Sequence, residues 1–271
     1  MNANSNTIGF IGAGNMAQAI IRGLLEAGHP AKQIAVANPS NDKLEILRAL
    51  NTDIYTTQSN TDVAEKSDVV VLATKPQRIA QVAAEIAGAR PQLVMSVAAG
   101  ITLATIEAEL AAGTAVVRNM PNQPATVGLG MSGLVANSAT DDTAKLVASY
   151  IGEASGEVVW LEKESLIDAI TAISGSGPAY FYLLLEILEA GAVEFGFSPA
   201  VARKLALQTG LGATTLARED GGELVELRRR VTSPGGTTEA AIKSLEAHDI
   251  RATFQRAFTA ARDRATELGK K

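Results

Sequence analysis

The chain has 271 residues, of which 46% are hydrophobic, 20% charged and 4% aromatic, and its formal net charge is −5. This length suits two domains, and the acidic balance argues against nucleic acid as a partner, because binding phosphates requires clustered cations. The chain has no cysteine and no apolar run long enough to span a bilayer, and its polar first residues lack the order of a signal peptide, so we expect a cytoplasmic protein without disulfides or a membrane partner.

The first part of the chain alternates short β-branched runs with segments of helical period. Strands are predicted at residues 7–11, 34–37, 69–73, 93–97, 115–118, 133–136 and 158–161. Helices are predicted at residues 16–27, 43–50, 79–87 and 102–110. Alternating strands and helices form βαβ units, and the apolar run 69–73 is typical of a strand buried on both faces. We therefore predict an α/β domain over residues 1–161 with a mostly parallel, doubly wound sheet.

A glycine-rich turn joins the first predicted strand to the first predicted helix. Its glycines permit a tight turn and the close approach of a pyrophosphate, and Ala17 is the third small residue, where helix meets strand. This indicates a dinucleotide site in a Rossmann-like domain; a tight turn without a ligand is the alternative. The residues expected at the phosphates are Gly12, Ala13, Gly14, Asn15 and Met16.

The end of the second predicted strand bears on the choice of nucleotide. NAD-specific sites place Asp or Glu there to bind the ribose 2′-hydroxyl. This strand ends on Asn38, and the first acid, Asp42, comes several residues later. Asn38, Ser40 and Lys43 carry donors that favour a 2′-phosphate. We therefore expect NADPH to be the preferred cofactor, with NADH as the alternative.

The strand predicted at residues 69–73 ends in Ala73, Thr74, Lys75 and Pro76. Pro76 fixes the direction in which the chain leaves the strand. Lys75 then lies at the carboxyl edge of the sheet, where ligands bind in folds of this class. We interpret Lys75 as a cofactor contact, and a surface lysine is the alternative.

Beyond about residue 162 the strand signal ends, and Ala, Leu and Glu recur at helical spacing up to residue 268. We predict an all-α second domain of about five helices over residues 162–271. The segment 183–188 is apolar around much of one helix, and such a helix needs a packing partner on each side. Packing within the chain and a dimer interface both satisfy that need. The two histidines, His29 and His248, lie far apart, so we expect turn or surface positions for them and no metal site.

A glycine-rich segment at residues 232–238 precedes a strongly helical stretch. Ser233 is predicted as the N-cap, with Pro234 in the first helical position. Gly235 and Gly236 then leave backbone N–H groups open, and together with the helix dipole these make an anion site. A well-capped helix with a glycine-rich entry is the alternative.

Together these motifs resemble the pyrroline-5-carboxylate reductase family. The matching segments follow the family order over almost the whole chain, at residues 9–17, 73–76, 118–122, 174–180 and 232–238. Gln123 departs from the family, which usually has Thr there, and residues 38–40 are one of several variants. The resemblance implies NAD(P)H-dependent reduction of L-1-pyrroline-5-carboxylate to L-proline, the last step of proline biosynthesis, by hydride transfer to a cyclic imine.

The resemblance also implies roles for individual residues. Thr238 would be the catalytic group nearest the imine nitrogen, and Ser233, Gly235, Gly236 and Thr237 would hold the substrate carboxylate. For Ser176, lining the substrate pocket and belonging to a structural kink both stay open. The cofactor contacts implied beyond the glycine turn are Asn38, Ser40, Asn60, Ala73, Thr74, Lys75, Pro76, Ala98, Ala99, Gly100, Met120, Pro121 and Asn122.

The family further implies a homodimer built through the C-terminal helices, with a decamer of five dimers as a further option. Segment 233–238 would then come from the partner subunit. A cyclic imine needs a carboxylate anchor, a hydride donor and a proton donor at nitrogen, so neither a metal nor a His, Asp or Glu base is expected.

Two rival functions are weighed against this one. The β-hydroxyacid dehydrogenases share the two-domain plan, but they carry a catalytic lysine where this chain has Phe181, which cannot relay a proton. A non-catalytic NADP(H) sensor would keep the glycine turn without a substrate segment. The intact segment 233–238 argues against a sensor.

Overall fold

The structure, a computed structural model, describes residues 5–269. It divides into two compact units. One unit takes the chain up to Ser176 together with the part that begins at Ala261, and the other is Gly177–Ala260.

The first unit is built on one sheet of eight strands in the order β3-β2-β1-β4-β5-β6-β7-β8. The strands are β1 (Ile8–Ile11), β2 (Ile34–Ala37), β3 (Tyr55–Thr57), β4 (Val69–Leu72), β5 (Leu93–Ser96), β6 (Ala115–Met120), β7 (Gly130–Ala136) and β8 (Gly156–Trp160). The first six run parallel, β7 runs antiparallel to β6, and β8 runs parallel to β7. The strand order reverses between β1 and β4, and such a switch point opens a crevice at the carboxyl ends of the strands.

The helices of this unit cover both faces of the sheet. They are α1 (Asn15–Glu26), α2 (Asn41–Leu50), α3 (Asn60–Glu65), α4 (Ile79–Ile86), α5 (Leu103–Glu107), α6 (Asp142–Glu153) and α7 (Leu166–Ile170). Every residue of β1, β2, β4 and β5 is buried, because these central strands are covered on both faces. Alternate residues therefore enter two separate cores, one with Phe10 and Ile20 and the other with Ile11 and Val70. The predicted α/β fold with a mostly parallel, doubly wound sheet is confirmed.

The second unit is helical. Its helices are α8 (Gly177–Glu194), α9 (Pro199–Asp220), α10 (Leu224–Arg230), α11 (Thr237–Ala247) and most of α12 (Ile250–Leu268). Tyr180, Phe254 and Phe258 stack between α8 and α12, with ring centroids 5.5–6.5 Å apart. Much of α8 stays exposed, including Leu183 and Ile187. The apolar surface predicted for this helix is thus left uncovered by the residues that the structure describes, as a helix with an intermolecular partner requires.

The division between the units differs from the boundary predicted at residues 161 and 162. Helix α7 stays with the sheet because Ile167 is buried in one of its two cores. The end of α12 also returns to the first unit, where the Thr266 hydroxyl donates to Asp168 Oδ2 over 2.7 Å. The periodicity of apolar residues predicts whether a segment is a helix or a strand. It does not predict which of the two units the segment packs against.

Two features of this unit were not predicted. Strand β3 was missed because it has three residues and none of them is buried. His29 follows the turn after α1, in line with the turn position expected for it, but it is 2% exposed and packs against Tyr150, so it is a core residue. Among residues 5–269, no helix is long and apolar enough to cross a membrane, and no cluster of acidic and histidine side chains could hold a metal ion.

Candidate functional site

The glycine turn between β1 and α1 is shaped by its contacts with the neighbouring strands. Gly12 has a φ of +106° and donates its N–H to Ala37 O over 2.8 Å. A Cβ at Gly12 would lie 2.4 Å from Ala73 O, so only glycine fits there. Gly14 is the N-cap of α1, and a Cβ there would meet no atom within 4 Å. Gly12 is therefore required by the fold itself, whereas the space beside Gly14 is open to a ligand.

The start of α1 presents backbone donors beside that space. The first intrahelical bond runs from Gln18 N–H to Gly14 O over 3.0 Å, so the N–H groups of Asn15 and Met16 precede it. The N–H of Ala13 is already used, since it donates to Asn38 Oδ1 over 3.2 Å. Donors at a helix start together with the positive end of its dipole form an anion site.

Next to the turn lies a cavity of about 320 Å³ at the carboxyl edge of the sheet. Its wall includes Gly12, Pro39, Asn60, Thr74 and Arg78. The Thr74 hydroxyl is buried and has no hydrogen-bond partner among the described residues. A buried hydroxyl without a partner is costly unless a bound molecule completes it.

Asn60 begins α3 and lines this cavity. Its Nδ2 donates to Glu85 Oε2 over 2.6 Å, and Gln81 Nε2 donates to the other oxygen of Glu85 over 2.8 Å. Both oxygens of the acid are therefore engaged. Arg78 was not predicted as a site residue, although it lies three positions beyond Lys75, at the start of the helical segment that follows β4.

Two motifs that are far apart in sequence meet at the end of β6. Asn122 Nδ2 donates to Ser174 O over 2.9 Å, and Asn122 Oδ1 accepts from Met131 N–H over 2.9 Å. A Cβ at Gly175 would lie 3.2 Å from Met120 Cε. Residues Thr171–Gly175 form one π-helical turn between α7 and α8, a feature that is frequent at functional sites. Asn122 thus fixes this turn, and Ser176 follows directly behind it.

The loop after β5 is the third element at the carboxyl edge. Gly100 has a φ of +75°, and a Cβ there would lie 3.5 Å from Leu268 near the end of α12. The Ala98 N–H donates to the Ser96 hydroxyl over 3.3 Å. The described end of the chain therefore supports the loop 98–100, which the resemblance places beside the nicotinamide.

The start of α11 differs from its prediction. The helix begins at Thr237 with Gly236 as the N-cap, so Ser233 is not the cap and Pro234 is not in the helix. Gly235 has a φ of +72°, and its N–H donates to Glu239 Oε2 over 2.8 Å. The Gly236 N–H donates to Ser233 O over 3.0 Å. The N–H groups of Gly235 and Gly236, which were predicted to be open to a ligand, are therefore hydrogen-bonded within the turn. The cause is the left-handed conformation of Gly235, which changes the chain direction before α11 begins.

The donors that remain lie one residue further on. The first bond of α11 runs from Ala240 N–H to Gly236 O, so the N–H groups of Thr237 and Thr238 precede it. The hydrogen bond from Gly235, followed by the ion pair with Lys243, lowers the pKa of the Glu239 carboxyl. The basic run nearby is compensated, since Arg228, Arg229 and Arg230 pair with Glu246, Glu226 and Asp220.

Comparison with known proteins identifies this arrangement. The family described as "Pyrroline-5-carboxylate reductase dimerisation" matches residues 164–268, and that described as "NADP oxidoreductase coenzyme F420-dependent" matches residues 7–100. A pyrroline-5-carboxylate reductase from Pseudomonas aeruginosa is 44% identical over 266 residues, which is 97% of each chain. The chain belongs to the pyrroline-5-carboxylate reductase family. It is an NAD(P)-dependent oxidoreductase that reduces pyrroline-5-carboxylate to proline in proline biosynthesis.

Solved structures agree over the whole fold. A pyrroline-5-carboxylate reductase from Coxiella burnetii shares 43% identity and superposes with a TM-score of 0.94, covering 98% of this chain and 100% of that one. The Plasmodium falciparum pyrroline carboxylate reductase with NADP bound shares 29% identity with a TM-score of 0.85, covering 98% and 99%. The dimerisation family matched by the C-terminal helices supports a homodimer.

A nicotinamide dinucleotide fits the first unit of this reductase. The glycine turn, the open space at Gly14, the start of α1 and the orphaned Thr74 hydroxyl all lie at the carboxyl edge of the sheet. Of these, Gly12 and Thr74 line one cavity together with Asn60 and Pro39. The segment 233–238, to which the resemblance gives the substrate, belongs to the second unit.

Proposed function

We propose that this reductase prefers NADPH and binds the carboxylate of its imine substrate at the start of α11, with Thr238 at the imine nitrogen. The feature that carries the substrate assignment is the first turn of α11. There the N–H groups of Thr237 and Thr238 precede the first intrahelical bond, and both residues also carry a hydroxyl. A helix start of this kind favours an anion by about 0.3–1 kcal/mol, and by about 2 kcal/mol when partly buried.

The anchor differs in detail from the one that the sequence predicted. Because the N–H groups of Gly235 and Gly236 bond within the turn, these residues would shape the anchor instead of donating to the carboxylate. The direct donors would be the N–H groups of Thr237 and Thr238 and the exposed hydroxyl of Ser233. Ser176, which follows the π-helical turn, would also line the substrate pocket.

Thr238 would serve as the polar group at the reacting bond. It is half-buried, and its hydroxyl can donate to or accept from the imine nitrogen as the charge there changes. A hydrogen bond to a charged group contributes about 1.5–3 kcal/mol, which corresponds to about ten- to a hundredfold in rate. The nicotinamide supplies the hydride, and the protein supplies orientation.

The preference for NADPH is supported by the loop after β2. Its residues Asn38, Pro39 and Ser40 carry no carboxylate, and the first acid, Asp42, lies inside the first turn of α2. The exposed guanidinium of Arg78 adds a positive charge to the cavity wall. Ser40, Lys43 and Arg78 would bind the 2′-phosphate, while Gly14, Asn15 and Met16 bind the pyrophosphate and Lys75 and Pro76 line the cleft.

The remaining cofactor contacts would surround the nicotinamide. These are the loop 98–100 and the segment 120–122, both at the carboxyl edge of the sheet. The segment 233–238 belongs to the other unit, and we propose that it serves the cofactor of the partner subunit. We propose a decamer of five such dimers as the larger assembly, and size-exclusion chromatography tests it.

Replacing Thr238 by alanine tests the assignment of the substrate site. Thr238→Ala is expected to lower kcat/KM for pyrroline-5-carboxylate about ten- to a hundredfold while the NADPH dissociation constant stays within about twofold. Thr214→Ala, which removes an exposed hydroxyl bonded only within α9, is the matched control. Wild-type turnover by Thr238→Ala would remove its assigned role, and an equal loss of NADPH binding would indicate a structural role.

Two further measurements test the rest of the proposal. Steady-state reduction of the imine with each nucleotide in turn measures the preference, and a higher kcat/KM with NADH would contradict it. Size-exclusion chromatography with light scattering at assay concentrations measures the assembly. A stable and fully active monomer would exclude a pocket completed by the partner subunit.

A further inference from the structure

Asn38 is placed differently from the 2′-phosphate ligand that its position after β2 suggests. It is 7% exposed, and both ends of its side chain are engaged inside the protein. Its Oδ1 accepts the N–H of Ala13 over 3.2 Å, and its Nδ2 donates to the carbonyl of Ser40 over 3.0 Å. Its backbone N–H donates to Thr57 O over 3.1 Å, which anchors the residue to the neighbouring strand.

These bonds connect the two loops that a dinucleotide would contact. Ala13 belongs to the glycine turn in front of α1, and Ser40 is the N-cap of α2 in the loop after β2. Ser40 has no side-chain capping bond, so its backbone is held by Asn38 and its hydroxyl stays available. The Asn38 amide makes both bonds because it carries an acceptor and a donor on one planar group.

We infer that Asn38 is a positioning residue for the nicotinamide cofactor: it holds the pyrophosphate turn and the ribose loop in register and does not bind the 2′-phosphate itself. Removing the amide leaves the N–H of the fully buried Ala13 without its acceptor. The turn that carries Gly14 then loses one of the bonds that hold it, beside that of Gly12 N–H to Ala37 O, and this affects any dinucleotide, phosphorylated or not. The inference rests on the proposed assignment of the 2′-phosphate to the loop after β2.

A pair of variants in the same loop separates the two roles. Asn38→Ala is expected to raise the dissociation constants of NADPH and NADH by the same factor, about tenfold, because a buried donor is left unpaired. Ser40→Ala is expected to raise that of NADPH alone. Both constants are measured by titrating the purified, substrate-free protein and following nicotinamide fluorescence, so that activity plays no part in the readout.

Controls distinguish positioning from a general loss of stability. Asn51→Ala removes an exposed side-chain bond, from Asp53 N–H, in the loop before β3 at the opposite edge of the sheet. It should leave both dissociation constants unchanged even where it lowers the unfolding midpoint. If Asn38→Ala does not fold, Asn38→Ser, whose hydroxyl is too short to span both partners, is read in the same way.

The outcomes have separate meanings. A rise for NADPH alone in Asn38→Ala would show direct contact with the 2′-phosphate and overturn the inference, and so would unchanged constants for both nucleotides. If Ser40→Ala leaves NADPH binding unchanged, the proposed 2′-phosphate site fails. The equal effect of Asn38→Ala on both nucleotides would then still stand.

Discussion

Arg118 and Glu164 form an ion pair that ties β6 to the segment in front of α7. Arg118 Nη1 lies 2.6 Å from Glu164 Oε1, and the arginine side chain is 7% exposed. The same oxygen accepts the N–H of Leu103 at the start of α5 over 2.7 Å. One carboxylate oxygen therefore joins β6, the start of α5 and the segment in front of α7.

Breaking this pair should destabilise the first unit. Glu164→Ala leaves a buried guanidinium and the Leu103 N–H without an acceptor, so we expect the free energy of unfolding to fall by about 1–3 kcal/mol. We expect a smaller loss of unfolding free energy than for a fully buried ion pair, because the Glu164 side chain is 32% exposed. Urea unfolding followed through Trp160 fluorescence measures it. Glu162→Ala, an exposed acid in the same loop, should change stability by less than about 0.5 kcal/mol, and an equal effect of the two variants would contradict this prediction.

His29 gives the fold a dependence on acid pH. It lies in the turn after α1, its Nδ1 is 3.2 Å from the Tyr150 hydroxyl, and its Nε2 has no partner among the described residues. Burial lowers the pKa of His29 below its ordinary value of 6.5, so the unfolded chain takes up this proton at a higher pH than the folded chain. The stability that neutral His29 contributes is therefore complete above pH 6.5 and is lost as the pH falls through the lower folded-state value.

The substitution His29→Phe tests this dependence. We expect the unfolding free energy to be lower at about pH 5 than at about pH 7.5, and we expect His29→Phe to reduce that difference. A profile that His29→Phe does not alter would assign the acid sensitivity to other groups.

The parts of the fold that the sequence predicted are those with a strong local signal. Strand β2 is found with its exact bounds because four consecutive apolar residues lie between polar turns. Strand β3 is held by pairing with β2 and by little else, so its local signal is weak. The burial of His29 could not be predicted either, because it depends on α6, which is far away in sequence, supplying Tyr150.

The candidate site shows the same limit. The glycine turn was predicted correctly because the need for glycine at residue 12 is local, at a positive φ beside Ala73. The start of α11 was misplaced because Ser233 and Pro234 are good capping residues in isolation. The choice of Gly236 instead depends on Gly235 turning the chain and on Glu239 accepting its N–H. Side-chain bonds of this kind, like those of Asn38 and Asn122, have no pattern in the sequence.

The two glycines of the turn should respond differently to alanine. Gly12→Ala forces a Cβ against Ala73 O at a φ of +106°, so we expect a loss of about 1–3 kcal/mol in unfolding free energy together with lost NADPH binding. Gly14→Ala meets no protein atom within 4 Å, and its φ of −74° suits any residue. Its stability should stay within about 0.5 kcal/mol of wild type, while the NADPH dissociation constant rises about tenfold or more, because the pyrophosphate needs the space. Unchanged NADPH binding by Gly14→Ala would place the pyrophosphate elsewhere.

Asn119 is buried without satisfying its amide. It lies on β6 and is 2% exposed, and neither its Oδ1 nor its Nδ2 has a hydrogen-bond partner among the described residues. An unsatisfied buried amide costs about 1–3 kcal/mol, and a β-branched apolar side chain suits a buried strand. Asn119→Val is therefore expected to raise the unfolding free energy by about 1–2 kcal/mol in urea titrations.

Asn137 provides the contrast for that experiment. Its Oδ1 accepts from Val116 N–H and from the Thr140 hydroxyl, and its Nδ2 donates to Glu107 Oε1 and Thr114 O. Asn137→Val should accordingly destabilise the protein by about 1–3 kcal/mol, the opposite sign from Asn119→Val. If Asn119→Val were destabilising as well, the amide of Asn119 would have to be satisfied by an internal water. The water would then offset the cost of burying the amide. Replacing Asn119 by valine would remove the hydrogen bonds to that water next to Gly152, where an added Cβ would lie 3.9 Å from Asn119 Nδ2.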